Sequence, residues 1–355
     1  MSGIADANIG TTPVREGSRF DEAALARWMA AHVEGFAGPL TVEQFKGGQS
    51  NPTFKLITPS KNYVMRLKPS GPILKGAHAV DREARVMAAL GGTGFPVAHV
   101  YGLCTDESVI GSTFFIMDMV EGRIFWTATL PEVSHDSRPL YFDAMNATIA
   151  QLHQIDYAAI GLEDYGRPGN YYARQIARWS KQYLDDTEAG RDPFMDKLVE
   201  WLPAHIPDGD ETAISHGDFR IDNMIFHPTE PRVLAVLDWE LSTLGHPVAD
   251  FAYHAMMYRM PSLVVAGLGG ADLAALNIPS EADYVAAYAA RTGRATLDGY
   301  DYAIAFNFFR LAAIIHGIKG RVIRGNASNV DAKARAEALP LFTQLAWEQA
   351  ERAGA

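Results

Sequence analysis

A chain of 355 residues that is 48% hydrophobic and 21% charged is long enough to bury two separate interiors, which excludes a wholly disordered protein. Its formal net charge of -11 excludes a general binder of nucleic acid or of anionic membrane, since either needs a basic footprint. The single cysteine, Cys104, excludes an intrachain disulfide and points to a cytoplasmic setting.

The first 20 residues lack the basic start and apolar run of a signal peptide and are expected to be a flexible N-terminus. Nowhere is there an uninterrupted apolar span of about 18 residues, so no membrane segment is expected. Asp21 can cap a helix whose apolar residues Leu25, Trp28, Met29, Val33 and Phe36 share one face. The runs "LTVEQF", "TFKLIT" and "YVMRLK" read as three antiparallel strands, "AVDREARVMAAL" as a helix, and "AHVYGLC" and "TFFIMDMV" as two more strands. A five-stranded sheet with one internal helix follows.

Past "VEGR", Val120 to Arg123, strands nearly vanish and helical patterns take over, at 138–155, 170–203, 247–260, 280–292, 300–324 and 331–352. This change divides the chain into a small sheet lobe over 21–119 and a larger helical lobe over 120–355. The class is α+β.

One segment breaks the helical pattern. In "ISHGDFRIDNMIFH" a His, two Asp, an Arg and an Asn stand between apolar flanks that read as short buried strands, so the polar cluster sits on a loop with a rigid mount. Asn223 and Asp238, the latter delivered by the strand "VLAVLDWE", offer the hard oxygen donors that suit Mg²⁺, which uses few protein ligands and completes its shell with phosphates and water. Asp218 is then left to accept a hydrogen bond from a substrate hydroxyl and orient it for in-line attack. His216 is expected to brace the loop, Asp222 to support it, Asp250 to favour the start of its helix, and Phe219 and Trp239 to lie in the core. A metallohydrolase fits less well, because no second His stands at ligand spacing near His216.

The spacing of "HGD", an Asn five positions on, and then "LDWE" follows the protein-kinase catalytic loop, with Gly217 in place of its Arg. This form resembles the aminoglycoside phosphotransferase and choline kinase group of small-molecule kinases. Within it, "SHGDFRIDNMIF" and "VLDWELSTLGHPVADFAYH" look most like the kinase-like domain that accompanies some acyl-CoA dehydrogenases. The resemblance implies a protein-kinase-like bilobal fold and an ATP- and Mg²⁺-dependent transfer to a hydroxyl of a small molecule. By position it makes Asp218 the catalytic carboxylate, Asn223 and Asp238 the metal ligands, and Arg220 a basic residue beside the transferred phosphoryl group. In the sheet lobe it gives Arg66 the phosphate contact and Glu83 the role of its acidic partner. Arg66 departs from the usual Lys, and Lys68 lies on the same face of the strand as a substitute. "KGGQSNPTF" takes the place of the phosphate-covering loop, with Ser50 and Asn51 as added donors, and backbone groups near Asp118 and Met119 are expected to face adenine.

The subgroup resemblance suggests a hydroxyacyl-CoA or related acid as acceptor. A basic face supports an anionic one: at about 100° per residue, Arg310, Arg321 and Arg324 project from one side of the helix "AIAFNFFRLAAIIHGIKGRVIRGNAS", with Gly317 leaving room between them and Lys319 opposite. The alternative is a nucleotide-binding pseudokinase acting as a scaffold, against which the retention of Asp218, Asn223 and Asp238 together argues.

Overall fold

The computed structural model describes residues 9–47, 51–69, 79–261, 267–326 and 332–355. The chain forms two compact units, one of Met1–Gln151, Ile155–Tyr165 and Arg220–Ser242, the other of Leu152–Gln154, Gly166–Phe219 and Thr243–Ala355. This division by packing cuts the chain at different points from the change of pattern at residue 120.

In the first unit, β1 (Thr11–Thr12) precedes α1 (Glu22–His32). Asp21 caps α1 by accepting the N–H of Ala24 at 2.9 Å, and Leu25 and Met29 are fully buried. Then come β2 (Thr41–Phe45), β3 (Thr53–Ile57), β4 (Asn62–Leu67), α2 (Val80–Gly91), β5 (Val100–Cys104) and β6 (Phe114–Asp118). The sheet order is β1-β2-β3-β4-β6-β5 with every neighbour antiparallel. It has six strands rather than the expected five, because Thr11 and Thr12 pair with Phe45 and Gln44 at its edge, a two-residue addition too short to carry a periodic pattern. Strand alternation sends Tyr63, Met65 and Leu67 of β4 into the cluster with Leu25, Met29 and Phe54, and leaves Val64 and Arg66 on the opposite face.

α3 (Arg138–Gln154) leads to the second unit, where α4 (Tyr171–Asp185) and α5 (Pro193–Ala204) replace the single helix expected over 170–203. The break has local causes. Gly190 takes a φ of 79°, and Asp192 caps α5 by accepting the N–H groups of Phe194 and Met195, with Pro193 in the first turn.

The two passes of chain around the polar loop pair with each other twice. β7 (Ala213–Ser215) pairs with β10 (Thr243–Gly245), and β8 (Met224–Phe226) with β9 (Val233–Val236), all antiparallel. The strands flanking the loop therefore belong to different ladders. Gly122 is fixed by its packing on β8, since a Cβ there would lie 2.2 Å from the carbonyl oxygen of Phe226.

The second unit is completed by α6 (Pro247–Ala255), α7 (Glu281–Arg291), α8 (Tyr300–Ile323), α9 (Ala332–Glu337) and α10 (Leu339–Arg352). α6 stops short of residue 260 by tightening into a 3₁₀ turn over Met256–Tyr258. The C-terminal run splits at Ala338, with Pro340 in the first turn of α10. No helix among the described residues is long and apolar enough to cross a membrane.

Candidate functional site

The first unit gathers its charged residues where β4, α2 and the end of β9 meet. Arg66 Nε lies 3.0 Å from Oε2 of Glu83, at an angle that makes an ion pair rather than a hydrogen bond, and its Nη2 donates to Oδ1 of Asp238 at 3.2 Å. Glu83 is 1% exposed, so this is no surface pair. Burial pushes the Glu83 carboxyl up; Arg66 opposes that, Asp238 and Glu240 add to it, the N–H of Trp239 opposes it, and the result is about 7. Burial alone would lower the Arg66 guanidinium, but the charges of Glu83, Asp238 and Glu240 raise it, so it stays a cation. Lys68 follows on the strand with its N–H on Thr113, and it is Arg66 that reaches Glu83 and Asp238.

Asp238 sits in the left-handed region with φ 65°, a costly place for a side-chain-bearing residue and one that functional sites often use. Register sets Asn223 beside it, because Met224 pairs with Val236 and the N–H of Leu237 donates to the carbonyl of Asn223 at 2.8 Å. One carboxylate and one carboxamide on adjacent chain ends match a cation that takes few protein ligands. Arg220 is held bidentately by Asp222, at 3.0 and 2.6 Å, so its charge is answered within the loop. Asn51 is fully buried and donates from Nδ2 to Glu240 at 3.3 Å. Ser50 lies outside the described residues. Asp118 accepts from Tyr101 and pairs with Lys61, both at 2.7 Å, and its N–H is engaged by the carbonyl of His99. Met119 follows directly on the end of that strand.

The second unit holds the other end of the loop. Asp250 accepts the N–H groups of His216 and Gly217, each at 2.8 Å, and Nε2 of His153 lies 3.1 Å from the same carboxylate. Burial would raise Asp250, but the hydrogen bond and charge of His153, the charge of His216 and the N–H of Gly217 hold it at about 2. Asp250 thus anchors the loop directly, a larger role than favouring its helix start. The side chain of His153 is buried and also meets the hydroxyl of Tyr288 at 2.7 Å. His216 braces the loop by accepting the N–H of Asp218 on Nδ1 at 3.2 Å. Gly217 takes a φ of 82°, which is why glycine stands here. Phe219 and Trp239 are buried, as expected of core residues.

Three residues of this unit make contacts that were not expected. Tyr253 donates its hydroxyl to Oδ1 of Asp218 at 2.6 Å. His254 meets the carbonyl of Phe219 at 3.1 Å through Nδ1 and the hydroxyl of Tyr284 at 2.6 Å through Nε2, and burial holds its pKa down at about 4. Arg310 donates to the carbonyl of Gly217 at 3.1 Å and stacks 5.3 Å from the Tyr253 ring. Asp250, Tyr253 and His254, at positions i, i+3 and i+4 of α6, share one face and between them hold four successive loop residues. That spacing, "DFAYH", was the available sign.

Farther along α8, Arg321 is exposed, while Arg324 pairs with Asp186 at 2.7 Å and Glu188 at 3.4 Å. Gly317 does not leave open space, since a Cβ there would lie 2.9 Å from Nε2 of Gln182.

The profile of the phosphotransferase enzyme family, APH, matches residues 41–303. Acyl-CoA dehydrogenase family member 11 of Gallus gallus is 46% identical over 329 residues, 90% of this chain but 42% of that protein, so the chain spans about two fifths of this relative's length. A crystal structure from Ralstonia eutropha JMP134, provisionally named an aminoglycoside phosphotransferase, is 53% identical, covers 94% of this chain and 99% of its own, and superposes with a TM-score of 0.87. The spectinomycin phosphotransferase APH(9)-Ia, in complex with ADP and spectinomycin, shares the fold at 13% identity, with a TM-score of 0.60 over 95% of this chain and all of its own.

Proposed function

For this chain, which belongs to the phosphotransferase enzyme family, we propose transfer to a hydroxyl group, with ATP as the phosphoryl donor, Mg²⁺ as the metal and Asp218 as the base that orients the acceptor. The observation that carries this reading is the division of labour along one loop. Asp218 has one carboxylate oxygen held by Tyr253, and Asn223 pairs through its backbone with the residue before Asp238.

With Oδ1 held by a phenol, the carboxylate is kept in one orientation, in which it would accept the hydroxyl proton of an acceptor as that oxygen attacks the γ-phosphorus in line. Asn223 and Asp238 would hold Mg²⁺, which when bound would neutralise phosphate charge. Arg66, a cation kept in place by Glu83, is suited to the α- and β-phosphates, and Arg220 to the transferred group once it leaves Asp222. Asn51 and Ser50 would add donors above the phosphates, and adenine would meet the backbone of Met119, since the N–H of Asp118 already serves the sheet. In this reading 21–119 is the nucleotide-binding lobe and 120–355 carries the acceptor, in a cytoplasmic protein. The fusion of related sequence to acyl-CoA dehydrogenases favours a hydroxyacyl-CoA or related acid as acceptor, with Arg310, Arg321 and Arg324 as the expected basic face.

The test is ADP formation and product mass with purified protein, ATP, Mg²⁺ and a set of hydroxy acids and their CoA thioesters. Asp218→Asn should lower kcat by about 10²–10⁴-fold with ATP affinity retained. Asp238→Ala should instead lose Mg²⁺-dependent ATP binding, read by calorimetry. Unchanged turnover in Asp218→Asn would remove that residue from the mechanism.

A further inference from the structure

α4 and α8 run side by side in the same direction. Tyr171 meets Phe306 at 6.2 Å, Gln182 donates to the carbonyl of Ala313 at 3.2 Å, Tyr183 packs on His316 at 4.7 Å, and Asp186 pairs with Arg324. The order of these contacts gives the seam a direction. It begins where Arg310 holds the carbonyl of Gly217, beside Asp218, and ends at the Arg324 ion pair.

Arg66, Arg220, Arg259, Arg294 and Arg324 each have a carboxylate within 4.0 Å. Arg174 and Arg178, four residues apart on α4, and Arg310 and Arg321 on α8 have none among the described residues, in a protein of net charge -11. Arg174 donates instead to the carbonyl of Arg167 at 2.6 Å, and Arg178 lies 5.0 Å from the Trp179 ring. Arg321 reaches back along the helix, its Nη1 3.9 Å from the Cβ position of Gly317, beside Gln182. Burial and then the charge of Arg167 push the Arg174 guanidinium down, and the charge of Asp210 opposes them. Burial raises the phenol of Tyr171, with the charge of Asp250 adding to the rise and those of Arg310, Arg174 and Arg178 opposing it.

A guanidinium with no carboxylate partner can pair with an anion that binds beside it. From Arg310 to Arg321 is eleven residues, about 16 Å along the axis. A single carboxylate answers one guanidinium; four spread over that length suit several phosphate groups, whose oxygens the guanidinium fork matches. We propose that the seam between α4 and α8 binds the phosphate-bearing tail of an extended acceptor, through Arg310 and Arg174 near the reacting end and Arg178 and Arg321 farther out. This deepens the reading of Asp218 as the base and rests on it for the placement of the hydroxyl. It also replaces Arg324, whose charge Asp186 and Glu188 already answer, with two arginines of α4.

The probe is coenzyme A itself, titrated by calorimetry into the full chain at two salt concentrations. The parent should bind it, and Arg178→Glu and Arg321→Glu, both at exposed positions, should weaken binding at least tenfold each and flatten its salt dependence. Arg66→Ala should leave that affinity unchanged. Loss in Arg66→Ala alone would put the coenzyme in the nucleotide site and overturn the seam, as would absent binding to the parent or unchanged affinity in both reversals. Asp218→Asn separates the two readings: it should bind coenzyme A like the parent, so a failure of the base assignment shows in its turnover and a failure of the seam in the titration.

Discussion

Glu83 and Asp250 are both buried carboxylates, one in each unit, yet their acidities part in opposite directions, to about 7 and about 2. Burial pushes both up, so burial does not decide the outcome. Asp250 receives two backbone N–H groups and a histidine, donors that favour the anion. Glu83 shares one guanidinium with Asp238 and has Glu240 close by, so three carboxylates compete around a single cation. The first arrangement is a fixed anion that holds a loop. The second is poised, and a divalent cation arriving at Asp238 would draw Glu83 back toward its ionised form.

The hardest test of this contrast is to remove each carboxylate. Asp250→Ala leaves two loop N–H groups and His153 without their acceptor, and breaking such a buried arrangement should cost about 3–5 kcal/mol in urea unfolding. A loss under about 1 kcal/mol would mean the loop does not depend on this anchor. Glu83→Gln keeps the shape and the neutral form the site already tolerates, so it should cost about 1 kcal/mol or less while raising the ATP requirement.

The pH dependence of stability sharpens the same point. Glu83, raised from its ordinary 4.5, binds its proton more tightly when folded, so it contributes stability that is lost as pH rises from about 4.5 through 7. His254, lowered from 6.5 to about 4, does the reverse over an overlapping range, because the unfolded chain binds the proton first as pH falls. In the parent these slopes oppose each other. Glu83→Gln should therefore unmask a stability that climbs with pH between about 4 and 6.5, by up to about 1.4 kcal/mol per unit, and a flat profile would refute the assignment. Asp250 enters only below about 3.8, where its contribution falls away toward 2. The smallest expected effect is that of Tyr253→Phe, about tenfold in kcat with unfolding changed by about 1 kcal/mol, since one oxygen of Asp218 loses its tether but the loop keeps its anchors. An unaltered kcat would make that phenol a packing residue.

Much of this was legible from local pattern. The order of strands, the cap at Asp21 and the positions of Asp218, Asn223 and Asp238 all lie in short stretches where period and spacing speak for themselves. The choice of Arg66 follows from alternation along β4, which also puts Lys68 on its face, and only the approach of α2 separates them. What escaped depends on partners distant in sequence. Arg324 looks like a free cation until Asp186 and Glu188, 138 and 136 positions away, are brought beside it. The hold of α6 on the loop spans 33 to 35 positions and hides in an otherwise apolar helix, where a lone Asp near the start reads as a response to the helix dipole.

The twice-paired passes of chain have a consequence for how the protein comes to exist. β8 and β9 are joined by six residues, 227–232, and a hairpin of that kind closes in about 1–10 μs. Once it has, β7 and β10 need only bridge the segments 216–223 and 237–242, and closure entropy grows slowly with length. These two ladders can therefore zip outward from one turn, gripping each functional segment at both ends before any partner arrives from afar. Early structure at Ile225 and later structure at Ile214, read as folding-rate changes on Ile→Val substitution, is the expected order, and the reverse would rule out zippering. If it holds, the residues proposed for catalysis are delimited by contact order rather than by the finished architecture, and the turn at 227–232 sets the tempo at which they are framed.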